Sequence, residues 1–142
     1  MKTRILLVDD EEDFVQVLSE RLKIRDYNVD TSFSGEDALA KVKNHDFDVV
    51  ILDVAMPGMN GITALREIKA VKPLTEVIML TGKATVDTAI EGMKLGAYDY
   101  VLKPCDTEKL SADINKAHQR KTEHEDRIRE AKVRDILVSR GV

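Results

Sequence analysis

The stretch "DVVILDVAMPGMNG", residues 48–61, decides the fold of this 142-residue chain. Its apolar run, residues 49–52, has the length and the β-branched content of a strand that is buried on both faces. The run ends on a carboxylate, Asp53, after which Pro57 and Gly58 turn the chain. A charge at the end of an apolar strand requires a chemical explanation, which comes from the residues at the ends of the other strands.

Similar apolar runs recur along the chain and predict four further strands, at residues 4–8, 27–33, 76–80 and 98–102, of which 27–33 is the most polar. Between and after these runs, apolar residues recur at helical spacing, which predicts five amphipathic helices. Regular alternation of strand and helix requires right-handed crossovers and a mostly parallel sheet covered on both faces. The sequence therefore predicts a doubly wound α/β fold, in which ligands bind beyond the carboxyl ends of the strands.

The composition predicts one soluble globular domain. A chain of 142 residues buries one core but hardly two, and 43% hydrophobic with 34% charged residues is ordinary for a globular protein. The formal net charge of -4 argues against a basic face for nucleic acid. The single cysteine, Cys105, can form no internal disulfide, and no apolar segment reaches membrane-spanning length. We therefore expect a cytoplasmic protein that contacts neither nucleic acid nor a membrane directly.

Polar side chains stand where the predicted strands end. Asp9 and Asp10 follow the first strand, Asp53 the third, Thr81 the fourth and Lys103 the fifth. Three crowded carboxylates repel one another and favour a cation, and Mg²⁺ prefers a few carboxylate oxygens with room left for phosphate oxygens. An ammonium and a hydroxyl can bind phosphoryl oxygens. The set predicts a phosphoryl-transfer site at this edge of the sheet.

Four spaced segments carry a resemblance to a known family: "LLVDD" (6–10), "ILDVAMPGMNG" (51–61), "IMLTGKA" (78–84) and "YDYVLKP" (98–104). Each is a modest signal, but together, in order and at strand ends, they are specific. Over residues 4–118 the chain resembles the receiver domain of two-component response regulators. The resemblance implies the flavodoxin-like (βα)5 fold, with a five-stranded parallel sheet in strand order 2-1-3-4-5.

The resemblance also implies roles for the residues at the strand ends. Asp53 matches the acid that accepts a phosphoryl group from a sensor histidine kinase or a phosphotransfer protein. Asp10 matches a direct Mg²⁺ ligand, and Asp9 matches an acid that acts on the metal through water. Ala55 matches the residue that offers its backbone carbonyl to the metal. On this basis we expect Mg²⁺ as the cofactor.

The remaining matches concern the response to phosphorylation. Thr81 matches the hydroxyl that moves toward the phosphoryl group, Tyr100 the aromatic residue that turns with it, and Lys103 the lysine that contacts the phosphate. Pro104 matches a proline preceded by a cis bond. Lys83, two residues after Thr81, occupies a variable position at the rim, where a basic residue can bias autodephosphorylation in either direction. The expected output face is helix 4, strand 5 and helix 5, which would contact a downstream protein or a second copy of the chain in a homodimer.

Simpler interpretations exist for each residue alone. Asp9 and Asp10 would suit the N-terminus of the first helix, and Tyr100 would suit the core. Such separate explanations do not predict that all these residues meet at one edge. A receiver-like interaction module without phosphorylation, or a small metal-dependent phosphatase, uses the same fold. A phosphatase needs an acid for its leaving group and a cap over its substrate, and neither is evident. We therefore expect no enzyme beyond catalysis of its own phosphorylation and autodephosphorylation.

The sequence divides into a receiver domain, residues 1–118, and a charged helical extension or linker, residues 119–142. Opposite charges four residues apart favour a solvated helix in the extension: Glu123 with Arg127, Glu125 with Arg129, and Glu130 with Arg134. A coiled-coil seam would put Lys121 and Asp135 in its core, so we expect a charged helix frayed in part. The extension is too short for an effector domain. The chain is either a single-domain regulator or a truncated receiver of a larger DNA-binding or ATPase transcriptional regulator.

Overall fold

The computed structural model describes residues 2–82 and 85–140. In this part of the chain five strands alternate with five helices, as the sequence predicts. Their bounds are β1 Arg4–Val8, α1 Glu12–Ile24, β2 Asn28–Ser32, α2 Gly35–Asn44, β3 Val49–Leu52, α3 Gly61–Val71, β4 Glu76–Thr81, α4 Val86–Lys94, β5 Asp99–Leu102 and α5 Thr107–Ser139.

The strands form one parallel sheet in the order β2-β1-β3-β4-β5. This confirms the doubly wound fold and the strand order that the resemblance implies. β3 lies in the middle of the sheet between β1 and β4, and each of its residues is at most 1% exposed. A strand buried on both faces has no room for side-chain rearrangement, so the backbone that leads into Asp53 is held rigidly.

Helices cover both faces of the sheet and enclose two apolar layers. Val50 and Leu52 of β3 belong to the layer under α2 and α3, together with Ala38, Leu65 and others. The neighbouring β3 residues point to the opposite layer under α1 and α5, whose members include Val49, Ile51, Leu22 and Ile114. The alternation within one short strand is the two-residue period of β-structure, which explains why β3 is apolar throughout.

α5 continues well past the body of the domain as one helix of 33 residues. The sequence predicts fraying here, but the helix is unbroken to Ser139. Among the described residues, none of the three predicted (i, i+4) pairs of the extension forms an ion pair, and Arg129 contacts Asp126 at 2.8 Å instead. Long, exposed side chains gain little from any one oppositely charged partner. Their spacing in the sequence therefore does not predict which ion pairs form. Within the described ranges no helix is long and apolar enough to cross a membrane.

Candidate functional site

Three aspartates meet at the carboxyl edge of the sheet. One carboxylate oxygen from each of Asp9, Asp10 and Asp53 lies within 4.8 Å of the other two. The hydrogen bonds of the sheet continue past the strands to hold two of them. The amide of Asp53 donates to the carbonyl of Val8 at 3.0 Å, and that of Asp9 to the carbonyl of Ser32 at 3.1 Å. The convergence that the sequence predicts for these acids is present.

Asp53 is buried and incompletely satisfied. The residue is 4% exposed, and its Oδ1 atom has no hydrogen-bond partner among the described residues. A buried carboxylate oxygen without a partner is costly, since neither water nor a donor compensates its lost hydration. Such an oxygen beside two further carboxylates forms a donor set of the hard, anionic kind that suits a divalent cation such as Mg²⁺. The residues present therefore fit the metal that the family resemblance implies.

Lys103 directly follows β5, and its ammonium contacts the acid cluster. Its Nζ donates to Oδ2 of Asp9 at 2.5 Å and lies 3.4 Å from Oε1 of Glu11. The same nitrogen stands 4.1 Å from the centroid of the Phe14 ring. The amide of Lys103 donates to the carbonyl of Thr81 at 2.9 Å, and the peptide bond to Pro104 is cis, as the resemblance implies. The ammonium is thus the one cation that contacts the acid cluster within the described residues.

Burial and charge act against each other in the Asp9–Lys103 pair. Burial raises the pKa of the Asp9 carboxyl, and the neighbouring charge of Asp53 adds to this rise, while the Lys103 hydrogen bond opposes it. Burial alone would lower the pKa of the Lys103 ammonium, but the bond to Asp9 and the charges of Asp9, Asp53 and Glu11 outweigh it and raise that pKa. An ion pair with one acid would lower the acid's pKa. The rise at Asp9 therefore reflects its burial first, and the charge of Asp53 second, which together outweigh the bond to Lys103.

The loop between β3 and α3, which carries Ala55, is fastened at its far end. Oε1 of Glu36, from the first turn of α2, accepts a hydrogen bond from the amide of Met59 at 2.7 Å. The side chain of Asn60 caps α3 by accepting from the amide of Thr63 at 3.0 Å. Ala55 is exposed between these anchors and the strand. The loop is therefore held at both ends.

The two residues assigned to the response lie on neighbouring strands. Thr81, the last residue of β4, is fully buried. Tyr100 of β5 is half-buried, and its hydroxyl is 2.9 Å from Oγ1 of Thr88 in α4. Thr88 also belongs to the capping box that starts α4 at Thr85. Tyr100 is therefore joined to the first turn of α4. Lys83 lies outside the described residues.

The sequence alone did not predict the roles of some residues at the site. Neither Asp9 nor Asp10 is the N-cap of α1. Glu11 occupies that position without a side-chain hydrogen bond to the helix, and Asp9 accepts from the Glu11 amide at 3.0 Å. Phe14 is one of the apolar residues at helical spacing that predict the first helix, and its position four residues after Asp10 could have placed it at the rim. Glu36 had no local signal, since its partner lies in another loop.

The doubly wound sheet thus carries an acid triad and one lysine at its carboxyl edge. Residues 5–115 match the response regulator receiver domain family. The match covers most of the chain, so the chain belongs to this family. This confirms the resemblance that the four sequence segments carry.

Similarity to known sequences and to a solved structure supports this assignment. The transcriptional regulatory protein ZraR of Salmonella typhimurium is 42% identical over 123 residues, which are 85% of this chain and 28% of ZraR. The response regulator ArlR of Staphylococcus aureus is 38% identical over 112 residues, 79% of this chain and 51% of ArlR. A crystal structure of a CheY-like receiver domain protein from Methanospirillum hungatei JF-1 has a TM-score of 0.84 at 26% identity, over 87% of this chain and 99% of that one. The chain thus spans about a quarter to half of the length of these two relatives.

Proposed function

We propose that the protein is a phosphorylation switch in which Asp53 accepts a phosphoryl group from the phosphohistidine of a sensor histidine kinase or a phosphotransfer protein. The observation that carries this proposal is the buried Oδ1 atom of Asp53, which has no hydrogen-bond partner among the described residues and lies among two further aspartates. A nucleophile that is fixed by a rigid strand and not engaged by other donors is available for attack. Membership of the receiver family supports the same role.

The chemistry is a single phosphoryl transfer. A carboxylate oxygen of Asp53 attacks phosphorus, a new O–P bond forms, and the P–N bond to the imidazole breaks with its electron pair going to nitrogen. The product is an acyl phosphate, and water later cleaves it to inorganic phosphate and the free carboxylate. On this proposal the chain catalyses only its own phosphorylation and autodephosphorylation.

Mg²⁺ would be held by Asp10, Asp53 and the backbone carbonyl of Ala55, with Asp9 acting through water. When bound, the ion would neutralise negative charge on the acids and on the phosphoryl oxygens. The chain itself supplies a second positive charge. The Lys103 ammonium now engages Asp9, and a phosphoryl group on Asp53 would offer it a stronger anionic partner nearby.

The output would follow from local rearrangement at Thr81 and Tyr100. We propose that the Thr81 hydroxyl moves toward the phosphoryl group and that Tyr100 gives up its contact with Thr88 as it turns inward. This would alter the face formed by α4, β5 and α5, for which a downstream protein, an effector domain of a longer chain and a second copy are the proposed occupants. The face already exposes apolar side chains on α4 and β5: Val86, Ile90, Met93 and Leu102.

We propose that this switch acts in the cytoplasm, and we assign no nucleic-acid binding to this chain itself. The formal net charge of -4 supports the second point, because binding to phosphate backbones needs a concentration of positive charge. Any contact with DNA would therefore come from a partner or from an effector domain.

The direct experiment is incubation with acetyl phosphate and Mg²⁺ followed by intact mass measurement. Wild type is expected to gain about 80 Da, the mass of one phosphoryl group replacing a proton. Asp53→Asn should gain nothing. Asp113→Asn is a matched control, because Asp113 also carries a buried oxygen without a partner among the described residues but lies outside the triad. An equal adduct on Asp53→Asn, or none on wild type, would overturn the proposal.

A further inference from the structure

The Lys103 ammonium has three contacts from one short segment, residues 9–14. Two are the acids Asp9 and Glu11, and the third is the uncharged ring of Phe14, 4.1 Å from the nitrogen to the centroid. The lysine side chain is only 13% exposed, so these contacts replace most of its water. A cation held this close over an aromatic face is attracted by the negative centre of the ring.

The aromatic contact differs in kind from the acidic ones. Asp9 and Glu11 hold the ammonium as anions that compete with a phosphoryl group for it, whereas the ring attracts it without neutralising its charge. Phe14 also packs against the apolar layer under α1 and α5, which makes its ring a platform with a defined position. An ammonium over this platform can exchange one anionic partner for another without losing the attraction of the ring.

We propose that Phe14 is a positioning residue for Lys103. Its ring keeps the ammonium at the rim beside Asp9 and Asp53, so that the charge is in reach as the phosphoryl group arrives on Asp53. Lys103 binds Asp9, and a carboxylate oxygen of Asp9 lies within 4.8 Å of one of Asp53, so the ammonium stands close to the proposed acceptor. This inference rests on the proposed function, since it concerns the rate at which Asp53 takes up the phosphoryl group.

The contact itself is tested by NMR without any phosphorylation. The Phe14 ring should shift the Lys103 Hε resonances upfield by its ring current. The shift should persist in Phe14→Tyr, which keeps an aromatic face, and disappear in Phe14→Leu, which keeps an apolar side chain in α1. A wild-type Lys103 with the Hε shift of an exposed lysine would overturn the proposal.

The consequence is tested by the rate of phosphorylation with acetyl phosphate at saturating Mg²⁺. In this reaction the Asp53 O–P bond forms while the bond from phosphorus to the acetyl oxygen breaks, and acetate leaves with the electron pair. Phe14→Leu should be slower than wild type by about 3- to 10-fold, the range expected for loss of one partly buried cation–π contact. Phe14→Tyr should stay within about twofold of wild type.

Phe47→Leu is the matched control. Phe47 is also a buried ring in contact with a cation, the guanidinium of Arg4 at 5.7 Å, but it precedes β3 and so lies at the opposite edge of the sheet from Asp53. Its loss should leave the rate of phosphorylation unchanged. An equal slowing in Phe47→Leu, or failure of Phe14→Tyr to preserve the rate, would show a general packing effect and overturn the role of Phe14.

Failure of this inference is distinguishable from failure of the proposed function. If wild type gains no phosphoryl group, the proposed function fails and the positioning role falls with it, whatever the Lys103 resonances show. If wild type is phosphorylated and Phe14→Leu reacts at the same rate, Asp53 remains the acceptor and the role of Phe14 alone is refuted. Phe14→Met provides a second variant without a ring, in case Phe14→Leu does not fold.

Discussion

Gly61 shows how little space the turn after Asp53 leaves. Its amide donates to the carbonyl of Val54 at 2.8 Å, so the start of α3 folds back on the end of β3. A Cβ atom at this position would lie 2.0 Å from the Asp53 carbonyl oxygen and 2.6 Å from Val54 Cα. Both neighbours are backbone, and neither can turn away as a side chain would. The backbone that carries Asp53 therefore depends on glycine here.

Gly61→Ala is expected to lower the free energy of unfolding by about 1–3 kcal/mol, because the backbone at Asp53 must shift to admit the methyl group. Urea denaturation measures this change. In Gly92→Ala the new Cβ would lie 3.7 Å from Tyr100 Cδ2, an ordinary contact, and helix propensity should raise stability by about 0.5–1 kcal/mol. A Gly61→Ala protein as stable as Gly92→Ala would contradict this account of the turn.

Asp113 of α5 should make stability depend on pH. Burial is the main cause that raises the pKa of its carboxyl from 3.8 to about 7, and the hydrogen bond and charge of Asp99 raise it further. In this interval the folded state keeps a proton that the unfolded state has lost. The stabilisation is therefore complete below the unfolded pKa and is lost as the pH rises toward the folded value.

Asp113→Asn should remove this dependence, since an amide stays neutral at every pH. We expect a smaller loss of unfolding free energy between about pH 5 and about pH 8 in the variant than in wild type, measured by urea denaturation. Asp135→Asn, an exposed position of the same helix, is the control and should follow wild type. An undiminished pH dependence in Asp113→Asn would mean that other groups are responsible.

At the scale of elements, a side chain of α2 holds the loop between β3 and α3. Glu36 lies in the first turn of α2, yet its carboxylate binds the Met59 amide of the loop between β3 and α3. Hydrogen bonds from its own backbone amide and from that of Met59 lower the pKa of Glu36, so the carboxylate is charged at neutral pH. This loop carries Ala55, and its order should matter for metal binding.

Glu36→Ala should therefore weaken Mg²⁺ binding, because the loop loses a charge-assisted hydrogen bond. We expect about a threefold rise in the Mg²⁺ concentration that gives half-maximal phosphorylation by acetyl phosphate. Glu36→Gln keeps an acceptor oxygen for the Met59 amide and should lie between Glu36→Ala and wild type. If both variants need the wild-type concentration of Mg²⁺, the loop is held without Glu36.

At the scale of the whole molecule, ion pairs anchor the start of the C-terminal extension to the body of the domain. Arg120 forms a close ion pair with Glu76, the first residue of β4, and its guanidinium lies 4.6 Å from the Tyr98 ring. Glu76 is 2% exposed, and Lys69 lies 3.7 Å from its other oxygen. Lys121 also reaches Asp48 at 3.3 Å. Arg120 and Lys121 lie just beyond residue 118, where the sequence predicts the end of the receiver domain. That domain boundary stays a prediction.

Arg120→Met is expected to lower the free energy of unfolding by roughly 2–3 kcal/mol, because it leaves the buried Glu76 carboxylate with Lys69 alone. The apolar part of the side chain is largely retained, so the loss reports on charge. Arg127→Met replaces an exposed arginine of the same helix and should change stability by less than about 0.5 kcal/mol. Equal effects of the two substitutions, measured by urea denaturation, would show that the anchor contributes nothing.

A shorter chain offers an independent check on the same anchor. A protein ending at residue 118 lacks Arg120 and Lys121, whereas one ending at residue 126 keeps both contacts with the body. We expect the first to unfold at a lower urea concentration than the second, and the second to match the full chain. Similar midpoints for both would indicate that the extension is energetically separate from the receiver domain.

The sequence by itself determined the sheet and the residues at its rim. The run 49–52 predicts a strand from its own composition, and Asp9, Asp53 and Lys103 fall at strand ends however the helices pack. Only the tertiary structure decided which partner each charge takes. Lys103 pairs with Asp9 across 94 positions of the chain, and Arg120 with Glu76 across 44. Strand and helix periods are local and can be read along the chain, whereas such pairings depend on distances between remote segments, which exist only once the core has packed.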